Sequence, residues 1–280
     1  MGFKIKATTW NVNKKLPVND IEQLTEVEEA PDFYAFTFQE VNLPANPFSG
    51  NDAAWIALLK ESMSKNGFDL VESKSIDSSF TAVFANPAAL SDISNVEHAS
   101  IARSTAVRFD YKGRSIVFVG SHLHPHDDKM SERIEGYKIA INHISFSKTK
   151  VKKIFDHDIV VWSGDLNFRI DELSAEQIAN IVAGNDLSTA VCELMDKDQL
   201  KNAMKQELIF NGFVEGTVSF KPTYKFKLGT NEYNLERKPA FTDRILYRCK
   251  SGVGHVVSYT SNENFKISDH KPVTAFISFE

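Results

Sequence analysis

An acid and an amide stand two positions apart, Asp165 and Asn167, in the run Trp162-Ser163-Gly164-Asp165-Leu166-Asn167-Phe168-Arg169. The apolar Ile159-Val160-Val161 precedes it, so the run reads as a buried strand delivering both groups to its C-terminal end. On an extended backbone, alternate residues point the same way. A carboxylate can orient or deprotonate an attacking water, and a carboxamide can donate to a developing negative charge. The same residue types also suit a strand that ends in an Asx-type turn.

Other polar groups recur where apolar runs stop. Trp10-Asn11-Val12-Asn13, Gln39-Glu40 and Ser121-His122-Leu123 each end one such run. Thr242-Asp243-Arg244 opens another, and Ser268-Asp269-His270 precedes the last. A hydrolase that uses a divalent cation needs hard oxygen ligands, for which Glu40, Asn11 and Asp269 are candidates. It needs an imidazole held in one tautomer, which a His270–Asp243 pair supplies. It needs donors for charged oxygens, for which Asn167 and His122 are candidates. His122, His124 and His126 lack further ligands at zinc-type spacing.

These groups need elements to carry them. Strands are expected over 3–12, 33–41, 68–73, 81–85, 96–101, 105–111, 115–122, 159–163, 223–226, 244–248, 255–260 and 273–279. Helical spacing is expected over 20–30, 51–66, 131–155, 173–183 and 196–210, with Asp52 as N-cap and Gly67 as stop of the second. Many strands with hairpins and few βαβ alternations predict an α+β chain with two stacked sheets flanked by helices. No low-complexity tract interrupts it, so residues 1–280 are expected to form a single domain.

The 280 residues are 42% hydrophobic, enough for a sizeable core without staples. Cys192 and Cys249 have neither metal-type nor redox-type spacing. Lys and Arg number 32 against 37 Asp and Glu, a net charge of −5, which argues against a dedicated nucleic-acid binder. Neither a signal peptide nor a membrane span is read, and Lys6 stands where a myristoylation signal needs Ser or Thr. A cytoplasmic protein, peripheral at membranes if it meets them, is the expectation.

The ordered motifs resemble those of the inositol polyphosphate 5-phosphatases over nearly the whole chain. They are Thr9-Trp10-Asn11-Val12-Asn13, Gln39-Glu40, Ser121-His122-Leu123, the run from Trp162 to Ile170, Pro222-Thr223-Tyr224-Lys225, the run from Arg237 to Leu246, and Ser268-Asp269-His270-Lys271-Pro272-Val273. The Pro-Thr-Tyr-Lys and Pro-Ala-Phe-Thr-Asp-Arg-Ile-Leu elements set this family apart from the wider endonuclease, exonuclease and sphingomyelinase superfamily. The resemblance implies a four-layer α/β sandwich and magnesium-dependent removal of an inositol 5-phosphate, from phosphoinositides or soluble inositol polyphosphates. It implies Glu40 as main Mg2+ ligand, with Asn11 and Asp269 helping. It gives Asp165 the water, Asn167 and His122 the non-bridging oxygens, and His270, oriented by Asp243, the scissile phosphate. Tyr224, Lys225 and Arg237 match positions that hold a neighbouring 4-phosphate, with Lys238 and Arg244 as further candidates; Arg244 has a second reading, as a structural residue paired with a nearby acid.

Two departures bear on specificity. Ser100-Ile101-Ala102-Arg103-Ser104-Thr105 stands where the family commonly has a Gly-Asn-Lys-Gly loop, which leaves Arg103 as a candidate phosphate contact. Leu235 stands where the family often has a lysine, with Lys238 on the other side of Arg237. Leu43 and Phe48 lie in a loop that in the family can touch lipid. A monomer is expected. The competing readings are a same-fold phosphodiesterase, acting on abasic DNA or sphingomyelin-like lipid, and an inactive inositide-binding module.

Overall fold

Strand alternation sorts the apolar residues into three layers. In the strand Ile159–Asp165, Ile159 and Val161 face one apolar layer while Val160 and Trp162 face another. In Phe33–Gln39, Phe33 and Ala35 join that same first layer, and Tyr34, Phe36 and Phe38 face a third. Strands buried on both faces need apolar residues at nearly every position, which is why these segments read as continuous apolar runs.

The computed structural model describes residues 2–17, 21–25, 31–41, 52–184 and 186–280, with the side chains of residues 52 and 53 outside the description. Numbering strands in chain order, the first sheet runs β11 (Gly254–Ser261), β12 (Val273–Phe279), β1 (Phe3–Asn11), β2 (Phe33–Gln39), β4 (Ser79–Ala85), β3 (Asp69–Ile76). The second runs β5 (Ile93–Ile101), β6 (Ser104–Tyr111), β7 (Arg114–His122), β8 (Ile159–Asp165), β10 (Asp243–Cys249), β9 (Val214–Glu215). Each sheet holds one parallel pair, β1 with β2 and β7 with β8, among antiparallel neighbours. The sheets stack through the first apolar layer, which includes Phe3, Ile5, Phe33, Phe109, Phe118 and Ile245.

Helices cover the outer faces. α2 (Asp52–Lys65) lays Trp55, Leu59 and Met63 on the first sheet. α4 (Met130–His143) and α7 (Gln199–Lys205) bring Tyr137, Ala140, Leu200 and Ala203 to the second. The described residues also form the shorter helices α1 (Glu22–Thr25), α3 (Pro87–Leu90), α5 (Ala175–Gly184) and α6 (Leu187–Met195). This is the α+β four-layer sandwich expected from the sequence. Among the described residues no helix is long and apolar enough to cross a membrane.

Several expected elements changed. The helix expected over 131–155 stops at His143, because Ile144 turns to an extended conformation and Ser145 bridges to Lys153. Glu97 accepts the N–H groups of Ser147 and Lys148, Phe146 is buried in extended chain, and Ile154 is buried at the start of a separate one-turn 3-10 helix, Ile154–Asp156. The helix expected over 196–210 shrinks to α7, since Asp198 caps it by accepting from Lys201 N, while Asp196 closes the unexpected α6 before it. Residues 223–226 form no strand; Tyr224 and Phe226 make isolated bridges to Ala240 and Tyr233. The second helix does stop as expected at Gly67, whose φ of +79° suits glycine. Its expected cap, Asp52, and the loop bearing Leu43 and Phe48 lie outside the described side chains and residues.

Candidate active site

Register places the polar strand ends together. In the second sheet Asp165 is paired with His122 on one side and Asp243 on the other. In the first, Asn11 is paired with Gln39, and Glu40 follows with a φ of +51°. The β7–β8 contact is close because position 164 is glycine: at its φ of +152°, a Cβ would lie 1.9 Å from Ser121 O. The parallel pairs share a direction, so their C-terminal ends meet at one edge of the sandwich.

Asn11 joins the two sheets there. Its Nδ2 donates to Glu40 Oε1 at 3.1 Å and to Asp165 Oδ2 at 3.0 Å. Its Oδ1 accepts from Asn13 N at 3.0 Å and keeps a second lone pair. His122 Nε2 lies 3.5 Å from Asp165 Oδ2 and 4.0 Å from Glu40 Oε1. His270 Nδ1 meets Asp243 Oδ2 at 2.9 Å, and its Nε2 lies 3.8 Å from Asp165 Oδ2. Thr223 and Thr242 both donate to the same Asp243 oxygen, at 2.7 and 2.9 Å. Ser268 Oγ donates to Asn11 O at 2.6 Å and accepts from His270 N, and Trp10 Nε1 donates to His270 O. Asp243 therefore holds the imidazole, while Ser268 and Trp10 hold the backbone that carries it.

Burial resists charge on His270, but the carboxylates of Asp243 and Asp165 outweigh it and raise its pKa to about 9, so it is an imidazolium at neutral pH. Burial raises the pKa of Asp165, with His270 opposing that shift. Burial lowers Lys271 to about 8; its Nζ donates to Phe265 O, Asn231 Oδ1 and Thr230 O.

Asn167 departs from the extended geometry expected for it. β8 ends at Asp165, and Asn167 has a φ of +59°. Its N–H donates to Asp165 Oδ1 at 3.1 Å, so the segment is an Asx turn and part of the polar cluster at once. Its Nδ2 donates to Leu123 O at 3.1 Å.

The recognition candidates divide. Tyr224 stacks on His270 with ring centroids 4.6 Å apart. Lys225 Nζ pairs with Asp269 Oδ2 at 3.1 Å, so the lysine expected at a phosphate and the acid expected near the metal are neighbours. Exposed Arg237 donates to His126 Nδ1 at 3.2 Å, and Lys238 is half-buried on the same segment. Arg103 is exposed on the β5–β6 turn, where its carbonyl accepts from His122 N at 3.0 Å. Arg244 is a correction. It is fully buried, with Nε and Nη2 on Glu215 at 2.6 Å each and Nη1 on Asp198 at 2.9 and 3.0 Å. A guanidinium so enclosed cannot reach a substrate.

The donor set suits a hard divalent cation. Glu40 offers a carboxylate that is 31% exposed, and Asn11 an amide oxygen with a spare lone pair. Asp165, Asp243 and His270 also cluster closely enough to hold an ion, but His270 Nδ1 is already committed to Asp243. Motif reading included Thr223 and Ser268 but gave them no role, and it passed over Asp198 and Gln199. Gln199 Oε1 accepts from Arg169 N and Arg133 Nη2 at 3.0 and 2.7 Å. Nothing in local sequence marks Gln199 as a hub; only the docking of α7 does.

A two-sheet sandwich with Asn, Glu, two Asp and a His at one edge defines a class of metal-assisted phosphoesterases. By sequence the chain is a member of the Endonuclease/Exonuclease/phosphatase family 2, matched over residues 8–276. It is 31% identical to the human phosphatidylinositol 4,5-bisphosphate 5-phosphatase A over 98% of its length, while spanning 30% of that relative. It is 28% identical to mouse inositol polyphosphate 5-phosphatase K, covering 100% of this chain and 66% of the relative. The inositol polyphosphate 5-phosphatase domain of SPsynaptojanin, in complex with inositol (1,4)-bisphosphate and calcium ion, superposes with a TM-score of 0.88 at 31% identity, covering 99% of this chain and 84% of that one. Cimex nitrophorin, as a ferrous NO complex, has a TM-score of 0.81 at 24% identity over 99% of this chain and 98% of its own. That likeness shows the fold alone, and it makes the site rather than the fold the carrier of any functional argument.

Proposed function

We propose that residues 1–280 form one catalytic domain that removes the 5-phosphate from phosphoinositides or soluble inositol polyphosphates. The observation that carries this reading is the single bonded cluster Glu40–Asn11–Asp165 with His270–Asp243 beside it, stacked against Tyr224. The named relatives support it. So does the neighbour's ligand: inositol (1,4)-bisphosphate is what removal of a 5-phosphate from a trisphosphate would leave.

Asp165, held by Asn11 Nδ2 and Asn167 N, orients an in-line water and takes its proton. Its pKa, raised by burial, suits a base. His270 acts as a cation, gripping the scissile phosphate through Nε2 while Asp243 fixes Nδ1. Asn167 and His122 donate to non-bridging oxygens. Mg2+, held by Glu40 and Asn11, would stabilise charge on the phosphoryl and leaving oxygens. Lys225 and Arg237 stand by for an adjacent phosphate, and Lys238 and Arg103 extend the cationic rim. The enzyme works as a cytoplasmic monomer that visits membranes transiently.

The test is phosphate release with and without Mg2+ across soluble inositol phosphates, bis- and tris-phosphorylated lipids, and abasic DNA. Mg2+-dependent release from 5-phosphates is expected. Cleavage of abasic DNA without release from any inositide would overturn the proposal, and binding of inositides without turnover would leave only a binding module.

A further inference from the structure

One buried cation beside the site has no task in this scheme. Arg169 is 2% exposed. Its Nε donates to Asn167 O at 3.0 Å and its Nη2 to Asn167 Oδ1 at 2.5 Å. Its guanidinium carbon lies 4.8 Å over the Tyr224 ring, on which His270 also packs. Its backbone is held at both ends by Gln199, which accepts from Arg169 N and donates its own N–H to Arg169 O at 2.9 Å. Nη1 makes no hydrogen bond, and its nearest acid, Asp127, is 3.9 Å away.

A carboxamide has a donor end and an acceptor end of nearly the same shape, so packing alone leaves it free to sit either way round. A guanidinium has donors and no acceptor. Beside Arg169, only the oxygen of Asn167 fits. The amide nitrogen must then face the other way, where one N–H donates to Leu123 O. The second N–H is left for a ligand. Leu123 O, an acceptor only, enforces the same choice from the opposite end. The turn at Asn167, with its N–H tied to Asp165 Oδ1, fixes where the side chain starts.

We propose that Arg169 is a positioning residue that sets the polarity of the Asn167 amide, so that the group met by a phosphoryl oxygen is N–H and not C=O. This rests on the phosphatase reading, in which Asn167 is the donor. The stack on Tyr224 holds the guanidinium plane in the orientation that grips the amide.

The experiment pairs Arg169→Gln and Arg169→Lys, each in wild-type and Asn167→Ala backgrounds. Glutamine can accept as well as donate, so it removes one of the two contacts that fix the amide and leaves Leu123 O to hold it alone. Lysine is a donor only and keeps the polarity. Loss of one oxyanion donor costs about 10²–10³ in kcat, so Arg169→Gln should lower kcat roughly 10²-fold with KM within about 3-fold. Arg169→Lys should recover most of that loss. In the Asn167→Ala background, neither variant should cost more than about 3-fold further. Equal losses in both backgrounds, or no recovery with lysine, would overturn the assignment. A second readout needs no activity: the side-chain amide protons of Asn167, followed by NMR in asparagine-labelled protein, should be a distinct, slowly exchanging pair that changes in Arg169→Gln and persists in Arg169→Lys. An unchanged pair in Arg169→Gln also overturns it. If wild-type protein releases no phosphate, the phosphatase reading fails while the spectra still decide the role of Arg169. Should Arg169→Gln not fold, the Arg169→Lys cycle and spectrum decide.

Discussion

Replacing Arg244 by Met separates a structural arginine from a substrate-binding one. The sequence motif made Arg244 a phosphate candidate, yet its guanidinium lies between Asp198, fully buried, and Glu215, which is 11% exposed. Burial alone would lower its pKa; the two acids more than offset that and hold it well above the usual arginine value. Removing the cation leaves two buried carboxylates facing each other without a counter-charge. Breaking a buried ion pair in this way costs about 3–5 kcal/mol. For a chain of this size about 1 kcal/mol moves Tm by about 2 °C, so a fall of roughly 6–10 °C is expected. Arg244→Lys keeps one positive charge but cannot span both acids, and should fall by about half as much. Calorimetry gives Tm, and phosphate release at about 20 °C, where the variants remain folded, gives KM. KM decides rather than kcat, because Asp243 is the adjacent residue on β10. A KM within about twofold of wild type is expected. A tenfold rise in KM with Tm unchanged would refute the structural account.

Burial lowers the pKa of His157 to about 4; its Nε2 accepts from Arg108 Nε at 3.2 Å and its Nδ1 meets Lys153 O at 2.9 Å. Because the folded value lies below the unfolded value of about 6.5, this contribution is whole above pH 6.5. It fades as the pH falls toward 4, by about 3 kcal/mol in all. Urea unfolding across that range should show the slope, and His157→Gln should remove it. Asp165→Asn and His270→Ala should each abolish turnover, by about 10³-fold or more, while circular dichroism stays native; near-normal rates in both would mean the roles assigned here are wrong. Lys225→Ala and Arg237→Ala should lower kcat/KM about tenfold for substrates with a neighbouring 4-phosphate and leave isolated 5-phosphates within about twofold, and an equal loss on both would count against a 4-phosphate grip.

Much of the site was legible because its residues sit in short motifs at strand ends. Asn11, Glu40, His122 and Asp165 could each be named from an apolar run followed by a polar group, and Asp243 and His270 from a polar group placed before one. The strands that carry them, buried on both faces, announce themselves as apolar runs. Sequence left Arg244 between a phosphate contact and a structural ion pair, because it shows a charge next to Asp243 but not the enclosing acids, Asp198 at the cap of α7 and Glu215 of β9. The Lys225–Asp269 pair could not be read either, because Lys225 reaches Asp269 from a segment with no regular structure. The helix expected over 131–155 failed because apolar spacing cannot tell a helix from a chain that folds back, and the bridge from Ser145 to Lys153 decided the matter.

The amino-acid sequence by itself determined the family, the α+β layering and the inventory of acids, amides and imidazoles, since those depend on residue type and local period. Tertiary structure decided which of them touch. Only sheet register sets Asp165 between His122 and Asp243, and only the stacking of two sheets brings Asn11 to 3.0 Å from it. It also decided the state of those groups. The imidazolium of His270 and the fixed amide of Asn167 arise from burial beside particular partners, Asp243 and Asp165 for one and Arg169 for the other, which are interactions between segments remote in the chain or shaped by a turn that periodicity does not encode.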